Sequence, residues 1–295
     1  MAKIAKSTLF PRELENELFS LIKGKSSLAR LANAEPVPFV GKDIFTFNFS
    51  NKLSIVGEGE NKPAGDGTIT PVSIVPVKTE YQARFTDEFL YASEEEQLDI
   101  LKAFSDGFAM KLAEGLDIMA MHGLNPADST ASSIIGTNSF DGKVTNTVTY
   151  AAATADANIN DAITTIASAG YMANGIAMSP AMRGAIAAMT ANDAVKYPDF
   201  NFGALPANLG AMRLDVNPTV SVIATGGQAD HAIIGDFTCF RWGIAKEIPL
   251  KVIEYGDPDG QGDLQRKNEI VLRSEAYIGW AIMDKNAFAR VKVST

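Results

Sequence analysis

Residues 45–85 read FTFNFSNKLSIVGEGENKPAGDGTITPVSIVPVKTEYQARF. Phe45, Phe47 and Phe49 alternate with Thr46, Asn48 and Ser50, the two-residue period of a strand with one apolar face. A second alternating run places Val75, Val77, Thr79, Tyr81, Ala83 and Phe85 on one side. Between them, Gly57 to Gly67 is polar, charged and rich in glycine, so its backbone loses much entropy on ordering. The pattern predicts two long strands around a loose tip, an extended hairpin over 45–85. An isolated hairpin is marginal in water. No third strand is adjacent in sequence, so this one must lie on the body of its own chain or on a neighbour.

Upstream, Leu14, Leu18, Leu21 and Ile22 fall at helical spacing between Pro11 and Gly24, residues suited to a first helical position and a stop. A short amphipathic helix is expected there. Ser26 to Gly41 lacks helical period and carries Pro36 and Pro38, which reads as an extended arm. Downstream, Leu98, Leu101, Phe104, Phe108, Leu112, Leu116 and Met119 keep steps of three and four, predicting a helix of roughly 40 Å at 1.5 Å per residue over 94–122. Glu94 to Glu96 suit its start and Gly123 its end. Asn125 to Tyr150 is turn-rich. A small α/β unit then follows. Its helices are opened by Asp156 and by the Ser179-Pro180 cap pair, and its strands lie near 176–178, 211–216, 220–224 and 232–235. Thr190 to Asn208 is an irregular loop within it. Glu269 to Met283 reads as one long strand with Ile270, Leu272, Ser274, Ala276, Ile278, Trp280 and Ile282 on one face, followed by a turn or short helix over 285–289.

With 295 residues, 46% of them hydrophobic, the chain can bury a real core. A formal charge of -9 and a pI near 4.9 give no electrostatic footprint for gripping nucleic acid. The same balance suits plain solubility as well as a surface that must not stick to phosphate, and charge alone does not separate the two. The single cysteine, Cys239, excludes an intrachain disulfide and reads as a small buried hydrophobe. No segment has signal-peptide or membrane-span length, which predicts a soluble cytoplasmic product.

Catalytic patterns are scarce. Two histidines and one cysteine supply no zinc spacing, and no cofactor or metal is expected. His122 reads as a cap at the end of the long helix. His231, after Asp230, is the one candidate base for a hydrolase, but no G-x-S-x-G elbow surrounds any serine. Gly24-Lys25-Ser26 lacks the upstream glycine and strand of a phosphate loop, since Phe19 stands at the glycine position.

Several segments, in order, resemble the major capsid proteins of tailed bacteriophages, the Hong Kong 97 fold family. Val56-Gly57-Glu58-Gly59, Lys62-Pro63 and Pro76-Val77-Lys78 resemble that family's extended loop; Thr86 to Leu90 resembles the entry to its spine helix. Met178-Ser179-Pro180 and Gly210 to Leu214 resemble parts of its axial domain. Ile234-Gly235-Asp236-Phe237, Arg273-Ser274-Glu275, Gly279 to Ile282, Asp284 and Ala287-Phe288-Ala289 resemble its closing segment.

The resemblance implies an α+β chain with an N-terminal arm (1–44), an extended loop (45–85), a peripheral domain (86–150 and 255–295) around a spine helix (94–122), and an axial domain (151–254). It implies no enzyme activity and no cofactor. The implied partners are further copies in hexamers and pentamers of an icosahedral shell, a portal protein, separate scaffold or decoration proteins, and packaged double-stranded DNA bound without sequence specificity. The implied location is the virion, after assembly in the bacterial cytoplasm. The expected assembly interface comprises Leu14, Leu18, Leu21 and Ile22, the loop residues Gly57, Glu58, Gly59, Lys62 and Pro63, and Arg273 and Glu275. An encapsulin-type compartment shell shares the same fold and is the alternative. Some relatives join a loop lysine to a neighbour's asparagine. Lys52, Lys62, Asn268 and Asn286 supply the ingredients, but the bond also needs a placed acid, and no cross-link is expected.

Overall fold

A computed structural model of the chain describes residues 25–49, 53–65, 67–91, 94–192, 194–224 and 226–294. The expected helix over 11–23, with Leu14, Leu18, Leu21 and Ile22, lies outside the described residues.

The arm is not wholly extended. Ser26 caps a one-turn helix, α1 (Ser27–Leu31), by accepting from the Ala29 N–H. The proline-free stretch before Pro36 allows that turn. β1 (Lys42–Phe49) and β2 (Gly67–Ile74) pair antiparallel from Lys42↔Ile74 to Phe49↔Gly67, forming the projecting hairpin. The second strand was expected at 75–85. That run instead forms β3 (Val77–Thr86), separated from β2 by Pro76, and leaves the hairpin altogether.

α2 (Glu94–His122) is the long helix. From Phe108 onward its apolar stripe is buried, whereas Leu98 and Ile100 in its first turns are exposed. α3 (Phe140–Lys143) and β4 (Thr147–Thr149) follow, then α4 (Ala155–Ser168), β5 (Gly175–Met178) and α5 (Pro180–Ala187). Ser179 caps α5 by accepting from the Met182 N–H, with Pro180 at the first helical position. A small hairpin of β6 (Thr190–Ala191) and β7 (Ala194–Val195) sits in the irregular loop, before β8 (Asn208–Leu209) and β9 (Met212–Val216). The strand expected at 220–224 is instead a 3-10 turn, Pro218–Ser221, because Asn217 caps it and proline starts it. β10 (Asp230–Gly235), β11 (Phe240–Ile253), the short α6 (Leu264–Lys267), β12 (Glu269–Ile282) and β13 (Phe288–Lys292) complete the described chain. The segment expected as turn or helix over 285–289 is a 3-10 turn running into β13.

Two sheets organise the body. One has the order β11-β12-β3, all antiparallel, with β12 central. The other is mixed, in the order β4-β13-β10-β5-β9-β8, with β4/β13 and β5/β9 parallel. α2, Trp242, Ile278 and Trp280 pack on the first; α4, α5 and Leu214 pack on the second. The first core also takes in Ala177, Ile233 and Phe288 from one face of the six-stranded sheet, and the second covers the other face. β12 is buried on both faces along most of its length, and the polar residues in its middle, Arg273 and Glu275, are partnered across to β3 and the loop beside it. Both tryptophans find a carbonyl: Trp242 Nε1 donates to Ala32 at 3.3 Å and Trp280 Nε1 to Asn138 at 2.7 Å. The base of the hairpin rests on the chain's own body, where Ile74 packs with Val37 and Ala281.

Candidate assembly surface and the buried polar centre

The sequence-predicted loop residues Gly57, Glu58, Gly59, Lys62 and Pro63 are all exposed, at the far end of the hairpin. Gly59 holds φ +83°, and the Glu60 N–H donates to Gly57 O at 3.2 Å, so this glycine is required by the turn. Beside them Leu53 and Ile55 expose their entire side chains. Sequence reasoning missed these two. Their signal was present as the short apolar run Leu53, Ile55 and Val56 ahead of the polar tip, a contiguous exposed patch. Phe45 and Ile69 add exposed apolar surface on the hairpin itself.

Arg273 and Glu275 lie elsewhere, in the middle of β12, and are not brought together with the loop tip. Arg273 donates through Nε and a terminal nitrogen to Gln82 Oε1 at 3.0 and 2.7 Å, and to Pro258 O at 3.1 Å. Glu275, nearly buried, pairs with Lys78 Nζ at 3.1 Å, a contact that raises the lysine. Both are partnered inside the chain, across β3 and β12. The neighbouring loop 254–263 is gathered by Arg84, which donates to both oxygens of Asp259, to Glu269 Oε2 at 2.6 Å and to Gly262 O at 2.8 Å. The guanidinium holds Asp259 down at about 2.

His231 sits against Ser179, with Nδ1 3.0 Å from Oγ, and its ring stacks on Tyr150 at 3.9 Å. Ser179 is fully buried and already caps α5. Asp230, the adjacent acid, turns away to Arg290, which donates to its Oδ2 at 2.8 Å and Oδ1 at 3.1 Å. Among the described contacts no carboxylate orients His231, so the pair works as a helix cap and lacks the third member of a triad.

The most elaborate polar cluster joins α2, α3, β10, β13 and the 218–221 turn. His122 Nδ1 lies 3.1 Å from Asp141 Oδ2 and Nε2 lies 2.9 Å from the Thr219 carbonyl oxygen. Arg290 bridges Asp230 and Asp141, reaching Asp141 Oδ1 at 2.8 Å. Burial pulls the His122 ring down, but Asp141 and the Thr219 carbonyl outweigh it and the ring is raised. Burial pushes Asp230 up against the pull of Arg290. The His122, Asp141 and Asp230 ligand atoms lie within 4.8 Å of one another, but the arginine already supplies the cation they need. A turn and a half earlier on α2, Asp117 is wholly buried. It accepts from Ser26 Oγ at 2.6 Å, Ser27 N at 2.8 Å, Leu28 N at 3.1 Å and Thr219 Oγ1 at 2.9 Å. Burial without a cation pushes it up to about 6 despite these donors.

A chain built of arm, projecting hairpin, long helix and two sheets, with its polar groups engaged in joints, is a structural subunit. Comparison with known proteins gives the same class. Residues 7–293 match the model of the phage capsid family. A structure from Mycobacterium phage Ogopogo is 32% identical, with a TM-score of 0.79 over 92% of each chain. One from Gordonia phage Cozz is 26% identical, with a TM-score of 0.76 over 92% of this chain and 87% of that one. The capsid of a native GTA particle shares the fold at 16% identity and a TM-score of 0.64, over 100% of this chain and 93% of that chain. No protein in the curated set matches. The chain belongs to the phage capsid family: it is a structural capsid protein of a multi-subunit shell, located in the virion.

Proposed function

We propose that the chain is the major subunit of an icosahedral phage head, assembling as hexamers and pentamers around double-stranded DNA, with a portal protein and, where needed, a separate scaffold as partners. The observation that carries this reading is the hairpin. It reaches roughly 27 Å at 3.4 Å per residue over the eight residues of β1, and it ends in exposed Leu53 and Ile55. Apolar side chains held that far from any core are stabilised only when a second copy covers them. Repeated head-to-tail contacts of this kind close into rings. In this reading the α2-bearing half with its three-stranded sheet is the peripheral domain and the six-stranded half the axial one, with bounds shifted from the expected 86–150, 255–295 and 151–254: β3 and β11 join the peripheral sheet, and β4 and β13 the axial one. The N-terminal residues Leu14, Leu18, Leu21 and Ile22 dock on a neighbour or scaffold in the same scheme.

Replacing residues 53–65 with a short Gly-Ser linker tests it. β1, β2 and the Ile74 anchor stay intact, so the unassembled subunit should melt within a few degrees of the parent. Shell yield by sedimentation should fall at least tenfold. Shells of normal yield and stability would overturn the assembly mechanism, and electron micrographs showing only dispersed monomers of the parent protein would overturn the shell reading itself.

A further inference from the structure

We infer that the contact between the C-terminal end of α2 and the 218–221 turn is a proton-operated seam: doubly protonated His122 fastens the turn to the helix, and loss of one ring proton releases it.

The geometry leaves the ring little choice. Nε2 faces the Thr219 carbonyl oxygen at 2.9 Å, and a carbonyl has no proton to give, so Nε2 must donate. Nδ1 faces Asp141 Oδ2 at 3.1 Å, and the other oxygen of that carboxylate is held by Arg290 at 2.8 Å, so it too is an acceptor. A neutral imidazole carries one N–H and cannot serve both. The side chain is 2% exposed, so water does not replace a lost partner.

The charged groups around the ring are Asp141 from α3, Asp230 from β10 and Arg290 from β13; the turn contributes only its carbonyl. With an imidazolium the four charges cancel. When a proton leaves, the remaining one stays on Nδ1, where the Asp141 hydrogen bond is charge-assisted. The contact that breaks is therefore the one to Thr219. Two lone pairs then face each other across a buried gap, an arrangement that costs the turn its fastening. Thr219 keeps one tie to α2 through its Oγ1 and Asp117, so the turn loosens and does not unfold the chain.

The chain has only two histidines, which makes the test direct. The full-length subunit labelled with ¹⁵N-histidine should show His122 protonated at both nitrogens at pH 6.5, while His231, which burial lowers, is neutral and titrates below it. Amide exchange at residues 219–222 should quicken about tenfold beyond its intrinsic pH dependence as His122 loses its proton. Asp141→Asn should lower the His122 titration by about one unit or more. His122→Gln should exchange at the fast rate at every pH. A neutral His122 at pH 6.5, or turn amides that follow only the intrinsic dependence in the parent protein, would overturn the inference whether or not the variants fold.

Discussion

At Gly243 in β11, a Cβ would lie 1.9 Å from the Glu35 carbonyl oxygen and 2.9 Å from a Val37 methyl. The arm runs that close because the Glu35 N–H donates to Trp242 O at 2.9 Å. Gly243→Ala should push the arm off β11 and cost about 1–3 kcal/mol in urea unfolding, the range for overpacking. Gly107 and Gly184, both helical and open to space, are the controls. Alanine at either should stabilise the subunit by about 0.5–1 kcal/mol. The Ser179-Pro180 cap was legible because the N–H it caps, that of Met182, lies three residues on. His122 was legible only as a helix end. Its partners Asp141 and Thr219 stand 19 and 97 positions away, and no local pattern encodes such distances.

Among the elements, the long helix and β12 were read with nearly their true ends, since each carries a sustained period. The hairpin was read with the wrong second strand. Alternation over 75–85 does mark a strand, but a period says nothing about the partner, and β3 pairs with β12 almost 200 residues on. Pro76, at the β2–β3 break, was the available warning. β13 escaped notice because five buried residues carry no alternation, and β11 because Gly243, the Ala245-Lys246-Glu247 stretch and its register shifts interrupt its period. Of the expected site, the loop tip was legible from glycine and charge, whereas Arg273 and Glu275 stand out in sequence yet are partnered inside the chain. One element leans on one side chain more than on any other: the loop over 254–263 is gathered by Arg84, with single bonds added by Arg273 to Pro258 O and Lys267 to Gln261 O. Arg84→Gln should leave the melting temperature within a few degrees but open this loop to limited proteolysis, seen as a new cleavage between Tyr255 and Gln261 on a gel.

For the whole molecule, acidity and stability are linked through its buried acids and His122. Asp117, pushed up to about 6, together with Asp230 and His122, binds protons more tightly folded than unfolded. The carboxyl contributions are full only below about pH 3.8 and fade as pH rises through about 6, whereas that of His122 is full below 6.5 and is lost above it. Asp259, held at about 2, has the opposite sign and weakens the fold only below about pH 4. The unassembled subunit should therefore melt several degrees higher at pH 5.5 than at pH 8.5, and calorimetry at the two values checks it. At the scale of the shell, boiled particles on a denaturing gel should give one band at 31.5 kDa, since no covalent link between copies is expected.

Trp242 and Trp280 are the chain's only tryptophans, and they stand directly opposite each other on β11 and β12. One indole is tethered to the arm through Ala32 and the other to the 138–139 segment through Asn138. The protein thus carries a built-in optical gauge needing no label. While the arm is seated, both rings are dry and emit at short wavelength. Lifting the arm wets Trp242 first, so a red shift of intrinsic fluorescence would time the arm's departure in a working particle, separately from any change in the six-stranded half, which contains no tryptophan.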